Sequence, residues 1–304
     1  MDATEFGRIL RRKRENLAFI VGNGINHYAY QDNKSVDWNN LLLYLWEKFS
    51  FRTRSVIPEG ISMTEFYDLL ELEAGSMGKV KEAVISYFAD WKPVKYHHEL
   101  SDCLSVWNVP VLTTNFDLNL SSDLNLKNLP EYKFTDFYPW GSYWSNNDLT
   151  DPVSGFGIWH INGMVNYKRS IRLGLTEYTS LASRTRQYLH SNDSLESFDL
   201  KNRNHWQGYH TWLHIIFNKS LCIFGLGLGK DETYLRWLLI ERMKYFKKFP
   251  DRRHQGWYVC LRNNNNEGNR QLLDFLGLEV VELEEYKDIY ERMLGISCNS
   301  QDLI

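Results

Sequence analysis

Cysteine is scarce in this sequence, and the few cysteines are scattered. The 304 residues contain four, at positions 103, 222, 260 and 298, without a C-x-x-C pair. This spacing excludes a zinc ribbon and a disulfide framework, so we expect no metal site built on cysteine. Cys222 and Cys260 lie inside apolar runs, and we expect both to be buried thiols.

The net charge is also small, and the apolar runs are short. The 35 Lys and Arg residues nearly balance the 38 Asp and Glu residues, for a formal charge of -3. No overall field draws such a chain to nucleic acid or to anionic lipid, so we expect no direct binding of nucleic acid. The apolar runs fall short of the ~20 residues of a membrane helix, and the first residues lack the apolar core of a signal peptide. We therefore expect no membrane contact and a cytoplasmic location.

The overall composition is typical of a folded protein, with many aromatic side chains. Hydrophobic residues make up 43% and charged residues 24%, as in ordinary globular chains. The aromatic share reaches 15%, with 11 Trp, and aromatic side chains carry large buried or interface areas. Extensive packing or a subunit interface follows as a hypothesis, and an interface would mean a homo-oligomer, a partner protein or both.

Short apolar runs alternate with amphipathic segments along the chain. The predicted strands are Leu17–Val21, Val109–Leu112, Phe156–Ile161, Ser220–Phe224, Trp257–Leu261 and Glu279–Leu283. The predicted helices between them include Leu41–Phe49, His210–Phe217, Thr233–Phe246 and Asn269–Phe275. This alternation predicts an α/β fold, an open doubly wound Rossmann-like parallel sheet, in a single domain over residues 1–304.

Almost ninety residues separate the first two predicted strands, too many for one crossover helix. Asp37–Phe49, Thr64–Ala74 and Lys79–Phe88 supply helical patterns there, so we predict a helical insertion at about residues 30–105. Ser121–Ser154 and Tyr188–His205 lack periodicity and are predicted to be long loops.

The first two candidate motifs follow predicted strands. Gly22–Asn26 contains two glycines, which let a backbone approach a pyrophosphate closely, although a tight glycine turn without a ligand explains them equally well. Thr113–Asp117 lies where open α/β sheets bring polar side chains to a ligand, although Thr, Asn and Asp also cap helices.

Two further motifs occupy later strand ends. His160 and Asn162 share a face if their strand stays extended, although a lone histidine there is more often structural. Gly225–Glu232 is a glycine-rich turn that leads into an amphipathic helix, and it permits close approach to a nucleotide.

These four strand ends, in this order, resemble the sirtuin-like superfamily, specifically its bacterial branch of NAD-hydrolysing defence proteins. Gly22–Asn26 is similar to the family's Gly-Ala-Gly-x-Ser turn, Thr113–Asp117 to its Thr-Thr-Asn-Tyr-Asp signature, and Gly225–Asp231 to its Gly-x-Ser-Leu-x-x-Asp segment. His160–Gly163 resembles the family's His-x-His-Gly, with Asn162 in the position of the catalytic histidine.

The resemblance implies that NAD is the substrate and that the bond between nicotinamide and ribose is cleaved. Deacylases of this superfamily carry a zinc ribbon that the isolated cysteines cannot build, so the resemblance favours hydrolysis by water. The implied catalytic residues are Asn115, Asp117, His160 and Asn162, with His160 as general base. The implied NAD contacts are Gly22, Asn23, Gly24, Asn26, Thr114, Gly225, Gly227 and Asp231.

Two other hypotheses stay open at this point. A regulatory subunit that binds NAD or a related nucleotide without catalysis would keep the glycine turns and tolerate Asn162. A protein-interaction scaffold would explain the many tryptophans, but it leaves four polar strand ends unexplained. Defence relatives are commonly controlled by assembly or by a partner, such as a HerA-type ATPase, an Argonaute or a signalling nucleotide.

Overall fold

The structure is a computed structural model, and it describes residues 1–31, 37–52, 55–122, 126–129, 138–190, 197–262 and 267–296. Its strands are β1 (Leu17–Val21), β2 (Pro110–Thr113), β3 (Lys127–Leu129), β4 (Tyr143–Ser145), β5 (Gly157–His160), β6 (Ser220–Phe224), β7 (Gly256–Leu261) and β8 (Glu279–Leu283). Its α-helices are α1 (Ala3–Arg12), α2 (Gly24–Ala29), α3 (Trp38–Phe49), α4 (Met63–Ala74), α5 (Met77–Phe88), α6 (Lys95–Trp107), α7 (Leu175–Leu189), α8 (Trp212–Asn218), α9 (Thr233–Lys248) and α10 (Glu267–Phe275).

The strands form one sheet in the order β3-β4-β5-β2-β1-β6-β7-β8. The six strands from β5 to β8 in this order pair in parallel, whereas β3 and β4 run antiparallel at one edge. A mostly parallel sheet flanked by helices confirms the predicted α/β fold.

Strand β1 illustrates why these apolar runs become central strands. Its side chains alternate, so Ala18 and Ile20 enter one hydrophobic cluster and Leu17, Phe19 and Val21 enter another. The first cluster contains residues of α7, α8 and α9, and the second contains residues of α1, α2 and α6. Both faces are therefore covered, which is the environment that continuous apolar strands require.

The long connection between β1 and β2 divides into two kinds of helix. The helices α3, α4 and α5 contact one another and share a hydrophobic cluster of their own, which also includes Phe116 from the loop after β2. The helix α6 packs instead with the sheet residues, through Tyr96, Leu100 and Leu104. The helical layer that stands apart from the sheet thus spans α3 to α5.

The predicted loops contain more structure than their composition indicated. The segment Ser121–Ser154 includes β3 and β4, each three residues long and too short to show an alternating pattern. The helix α7 was not predicted, and the loop expected from Tyr188 begins only where this helix ends. Residues 191–196 of that loop lie outside the described residues, as do residues 263–266 of the stretch Asn263–Gly268, whose Asn-rich composition predicts a surface turn.

The structure also bears on the two predicted buried thiols and on membrane-spanning segments. Cys222 and Cys260 are buried, as predicted. Across the described residues, no helix is both long and apolar enough to cross a membrane.

Candidate functional site

The middle of the sheet contains the point where the chain reverses its direction of winding. Strand β1 has β2 on one side and β6 on the other, although the chain visits β2 first and β6 much later. Open α/β sheets bind ligands at the carboxyl ends of strands beside such a point. The segments Gly22–Asn26, Thr113–Asp117 and Gly225–Glu232 follow these three strands.

The two glycine turns pack directly on each other. The N–H of Gly22 donates to the carbonyl of Phe224 at 3.1 Å, and the N–H of Gly24 donates to the carbonyl of Gly225 at 2.8 Å. A Cβ on Gly22 would lie 2.5 Å from the Gly225 oxygen and 2.8 Å from the Cα of Leu226. The glycines of the first turn are therefore explained by protein contacts alone.

The second turn differs, because part of it faces open space. Gly225 has φ of +65°, a conformation that favours glycine, but a Cβ on Gly227 or Gly229 would have no neighbour within 4 Å among the described residues. The backbone N–H groups of Gly227 and Gly229 also donate to no described residue. These two positions leave room and backbone donors for a ligand.

A cavity of about 410 Å³ lies between the strand ends and the helical layer of α3 to α5. Its polar floor is made by Thr114, Asn115, Asp117 and Asn162. Its aromatic wall consists of Trp38, Tyr87, Phe88, Trp91, Phe116 and Tyr178. This volume and lining are typical of a small-molecule site.

Asn115 has the clearest signature of a ligand contact. Its backbone is fixed, because its N–H donates to the hydroxyl of Thr113 at 3.1 Å. Its side chain is only 7% exposed, yet Oδ1 has no hydrogen-bond partner among the described residues. Since buried polar atoms are normally bonded, this oxygen lacks an O–H or N–H that a ligand would supply.

Asp117 is a buried carboxylate with two fixed donors. Its Oδ1 accepts from the N–H of Asn119 at 3.0 Å, and its Oδ2 accepts from the amide of Asn26 at 2.8 Å. Burial raises the pKa of Asp117 to about 6, and the two hydrogen bonds oppose that rise. A carboxyl group with this pKa is mainly ionised at pH 7 and titrates close to neutrality.

The remaining charges of the cavity are mostly negative. Asp37, Asp231 and Glu232 join Asp117, and the described lining includes no lysine or arginine. Burial, followed by the charge of Asp231, raises the pKa of Glu232 to about 7. Such a lining favours a cationic group over an anionic one.

Asp231 also connects two parts of the molecule. Its Oδ1 accepts from the N–H of Met63, the first residue of α4, at 2.8 Å. The hydrogen bond joins the second glycine turn to the helical layer. This carboxylate lines the cavity but already has a protein partner.

His160 does not line this cavity, contrary to the expectation that it reaches the substrate. It is 2% exposed, its Nδ1 lies 2.9 Å from the carbonyl oxygen of Asn115, and its Nε2 lies 2.7 Å from the hydroxyl of Ser121. Burial lowers the pKa of His160 to about 4, so the ring is neutral. A neutral ring must donate from Nδ1 to that carbonyl and accept at Nε2, which leaves no ring nitrogen for a substrate.

The other residues predicted to contact NAD also divide into some that line the cavity and some that do not. Asn23, Gly24, Gly225 and Gly227 line the cavity, as do the floor residues. Gly22 and Asn26 do not: Gly22 packs under the second turn, and Asn26 is fully buried behind Asp117.

The aromatic wall was not foreseen from the sequence. Except for Phe116, which belongs to the Thr113–Asp117 motif, its members come from the helical layer, from Trp91 just after it and from α7, so a rule based on strand ends cannot find them. His27 also lines the cavity and was not predicted, because it lies on α2 directly after the last residue of the Gly22–Asn26 motif.

A second cavity, of about 640 Å³, opens on the other side of the glycine turns. It shares Gly24, His27, Gly225, Leu226 and Gly227 with the first cavity. Its own lining is aromatic and apolar, with Tyr258, Tyr286, Tyr290, Val259, Cys260 and Leu261. The two spaces therefore meet over the glycine turns.

No group of three or more His, Cys, Asp or Glu side chains among the described residues is arranged to hold a metal ion.

Comparison of the sequence with models of known protein families and with curated proteins gave no match.

Proposed function

We propose that the chain binds NAD across the two cavities and hydrolyses the bond between nicotinamide and ribose. The reaction converts NAD⁺ and water to ADP-ribose, nicotinamide and a proton. The observation that carries the proposal is the buried, unpartnered Oδ1 of Asn115 in an acidic cavity beside two glycine turns.

The first cavity suits the nicotinamide riboside half. The nicotinamide ring of NAD⁺ is cationic and aromatic, and the cavity combines four carboxyl groups with an aromatic wall. Asn115 Oδ1 can accept from a ribose hydroxyl, and Asn162 lies on the same floor. The carboxylates also favour the positive charge that develops on the ribose as nicotinamide leaves.

The second cavity suits the adenosine half. An adenine ring can stack on tyrosine, and Tyr258, Tyr286 and Tyr290 line this space. The pyrophosphate would then cross the shared boundary, where Gly227 offers a free N–H and His27 is the one basic side chain among the described lining residues.

Asp117 is the residue that we assign to proton transfer. It is mainly ionised at pH 7, and its two hydrogen bonds fix its orientation. It can stabilise the developing cation and accept the proton of the attacking water, a contribution of typically 10²–10⁴-fold. His160 acts through Asn115, whose carbonyl it holds in place.

Incubation of the purified protein with NAD, with quantification of nicotinamide and ADP-ribose, tests the proposal. We expect both products in equal amounts and their loss in Asn115→Ala. Asn218→Ala is the matched control, because it removes a partly buried amide on α8 that lines neither cavity. Equal turnover in Asn115→Ala and the control would refute the role of Asn115.

A second function, binding of NAD without catalysis, is favoured by one specific observation. The end of β5 presents Asn162 to the cavity, and the imidazole of His160 is fully bonded elsewhere. Calorimetric binding of NAD without any release of nicotinamide would establish this alternative.

Hydrolysis of NAD would harm the cell that contains the enzyme, so we propose a role in bacterial defence under external control. Assembly of a homo-oligomer or a partner such as a HerA-type ATPase would provide that control, as in the defence proteins that the sequence resembles. Native mass measurement with and without co-expressed genomic neighbours tests both forms of control.

A further inference from the structure

Behind the carboxylate of Asp117 lies a buried chain of hydrogen bonds that begins at His97 on α6. The N–H of Val94 donates to Nδ1 of His97 at 3.1 Å, so the ring proton resides on Nε2. Nε2 lies 2.9 Å from Oδ1 of Asn26 and donates to it. Burial lowers the pKa of His97 to about 3, so the ring keeps this single neutral form.

The amide of Asn26 is fully engaged on both sides. Its Oδ1 also accepts from the amide of Asn119 at 3.1 Å. Its Nδ2 donates to Oδ1 of Asn23 and to Oδ2 of Asp117, each at 2.8 Å. A reversed amide would bring its NH₂ group against the donors of His97 and Asn119, so these two donors decide that Asn26 presents an N–H to Asp117.

We propose that His97 is a positioning residue, which fixes the amide of Asn26 and thereby holds the carboxylate of Asp117 in one orientation at the cavity. The inference rests on the proposed function only for its effect on turnover. His97 itself touches neither cavity, since it is buried and absent from both linings.

His97 has a second, purely structural contact that any test must separate from the first. By accepting from the N–H of Val94, its Nδ1 caps the start of α6. His97→Asn keeps an acceptor near the Nδ1 position but cannot reach Asn26. His97→Gln places an N–H near the Nε2 position but removes the cap. The two variants therefore divide the two roles of one imidazole.

The first measurement is steady-state hydrolysis of NAD by the full chain. We expect His97→Asn to lower kcat by roughly 10–100-fold with little change in KM, as for a lost hydrogen bond to a charged group. His97→Gln should recover most of that loss, although its thermal midpoint falls with the helix cap. A helix-capping role alone predicts the reverse ranking.

The second measurement does not need catalysis. The carboxyl carbons of ¹³C-labelled aspartate are titrated by NMR, with Asp117 assigned from Asp117→Asn. Tyr30 interacts electrostatically with Asp117, His97 is connected to it through Asn26, and His27, Asp37, Asp231 and Glu232 share its cavity. Of these, the variants change only His97.

The hydrogen bond from the amide of Asn26 stabilises the ionised form of Asp117. Loss of this hydrogen bond must therefore raise the pKa of Asp117. We expect this rise in His97→Asn and a value near wild type in His97→Gln. Unchanged titration in both variants, or the same rise in both, would overturn the positioning role. A wild-type chain that releases no nicotinamide would refute the proposed function, and the titration would still decide the role of His97.

Discussion

The two glycine turns look alike in sequence but have different surroundings in the structure. In the first turn, Gly22 and Gly24 are pressed against the backbone of the second, whereas Gly227 and Gly229 in the second turn face open space. A glycine beside a strand is thus no evidence of a ligand until its neighbours are known. The free glycines of the second turn are the ones that bear on binding.

The largest effect that this comparison predicts is loss of stability in Gly22→Ala. The added Cβ would meet the Gly225 oxygen and two atoms of Leu226 at 2.5–2.8 Å, so the turns must separate. We expect a cost near the upper end of about 1–3 kcal/mol, measured by urea denaturation. Gly78→Ala on α5 is the control, since a Cβ there meets only the Ser76 hydroxyl at 3.8 Å. A Gly22→Ala protein as stable as the control would remove the distinction between the turns.

The end of β5 extends the comparison to a pair of polar residues. His160→Ala leaves the carbonyl of Asn115 and the hydroxyl of Ser121 without their partner, which we expect to cost about 2 kcal/mol of stability. Asn162→Ala should leave the denaturation midpoint unchanged and lower NAD turnover, because this side chain faces the cavity. Full stability of His160→Ala combined with a 10²–10⁴-fold loss of turnover would restore His160 as the general base.

The open side of the second turn gives the next prediction. Gly227→Val adds a side chain where both cavities meet, without a clash in the empty protein. We expect NAD affinity to fall at least about tenfold, or 1.4 kcal/mol, by calorimetry, while the thermal midpoint stays at the wild-type value. Undiminished affinity would move the pyrophosphate away from this turn.

The smallest effect concerns the hydrogen bond between Asp231 and the N–H of Met63. Asp231→Ala leaves that N–H at the start of α4 unpaired, which typically costs about 1 kcal/mol. Asp231→Asn keeps an acceptor and should remain near wild type in urea denaturation. Equal loss in both variants would show that the charge matters rather than the hydrogen bond.

The fold was predictable because its signals are local and repeated. The runs that form β1, β6 and β8 are predicted with the boundaries that the structure has. For β1 and β6 the reason is that apolar strands buried on both faces leave a continuous pattern. The short strands β3 and β4 and the helix α7 were missed, because three-residue strands and a polar helix give weak patterns.

Of the site, the sequence predicted only the residues that lie in the strand-end motifs themselves. Strand ends located Asn115, Asp117 and Asn162, which do meet in one cavity. Which way a side chain points depends on packing between distant segments, so His160 and Asn26 were placed at the ligand although both are enclosed by protein. The wall from the helical layer has no counterpart in any strand motif.

The neighbours of β1 set a condition on how the protein is made. Val21 pairs with Thr113 and with Phe224, so during synthesis β1 must wait for partners that lie about 90 and 200 residues later in the chain. Closing such loops delays assembly during synthesis. Both cavities also need the turn that follows Phe224, so a nascent or truncated chain that ends before Ser220 has neither cavity. The first cavity can therefore form only after Glu232 has been synthesised, and the second only after Tyr290.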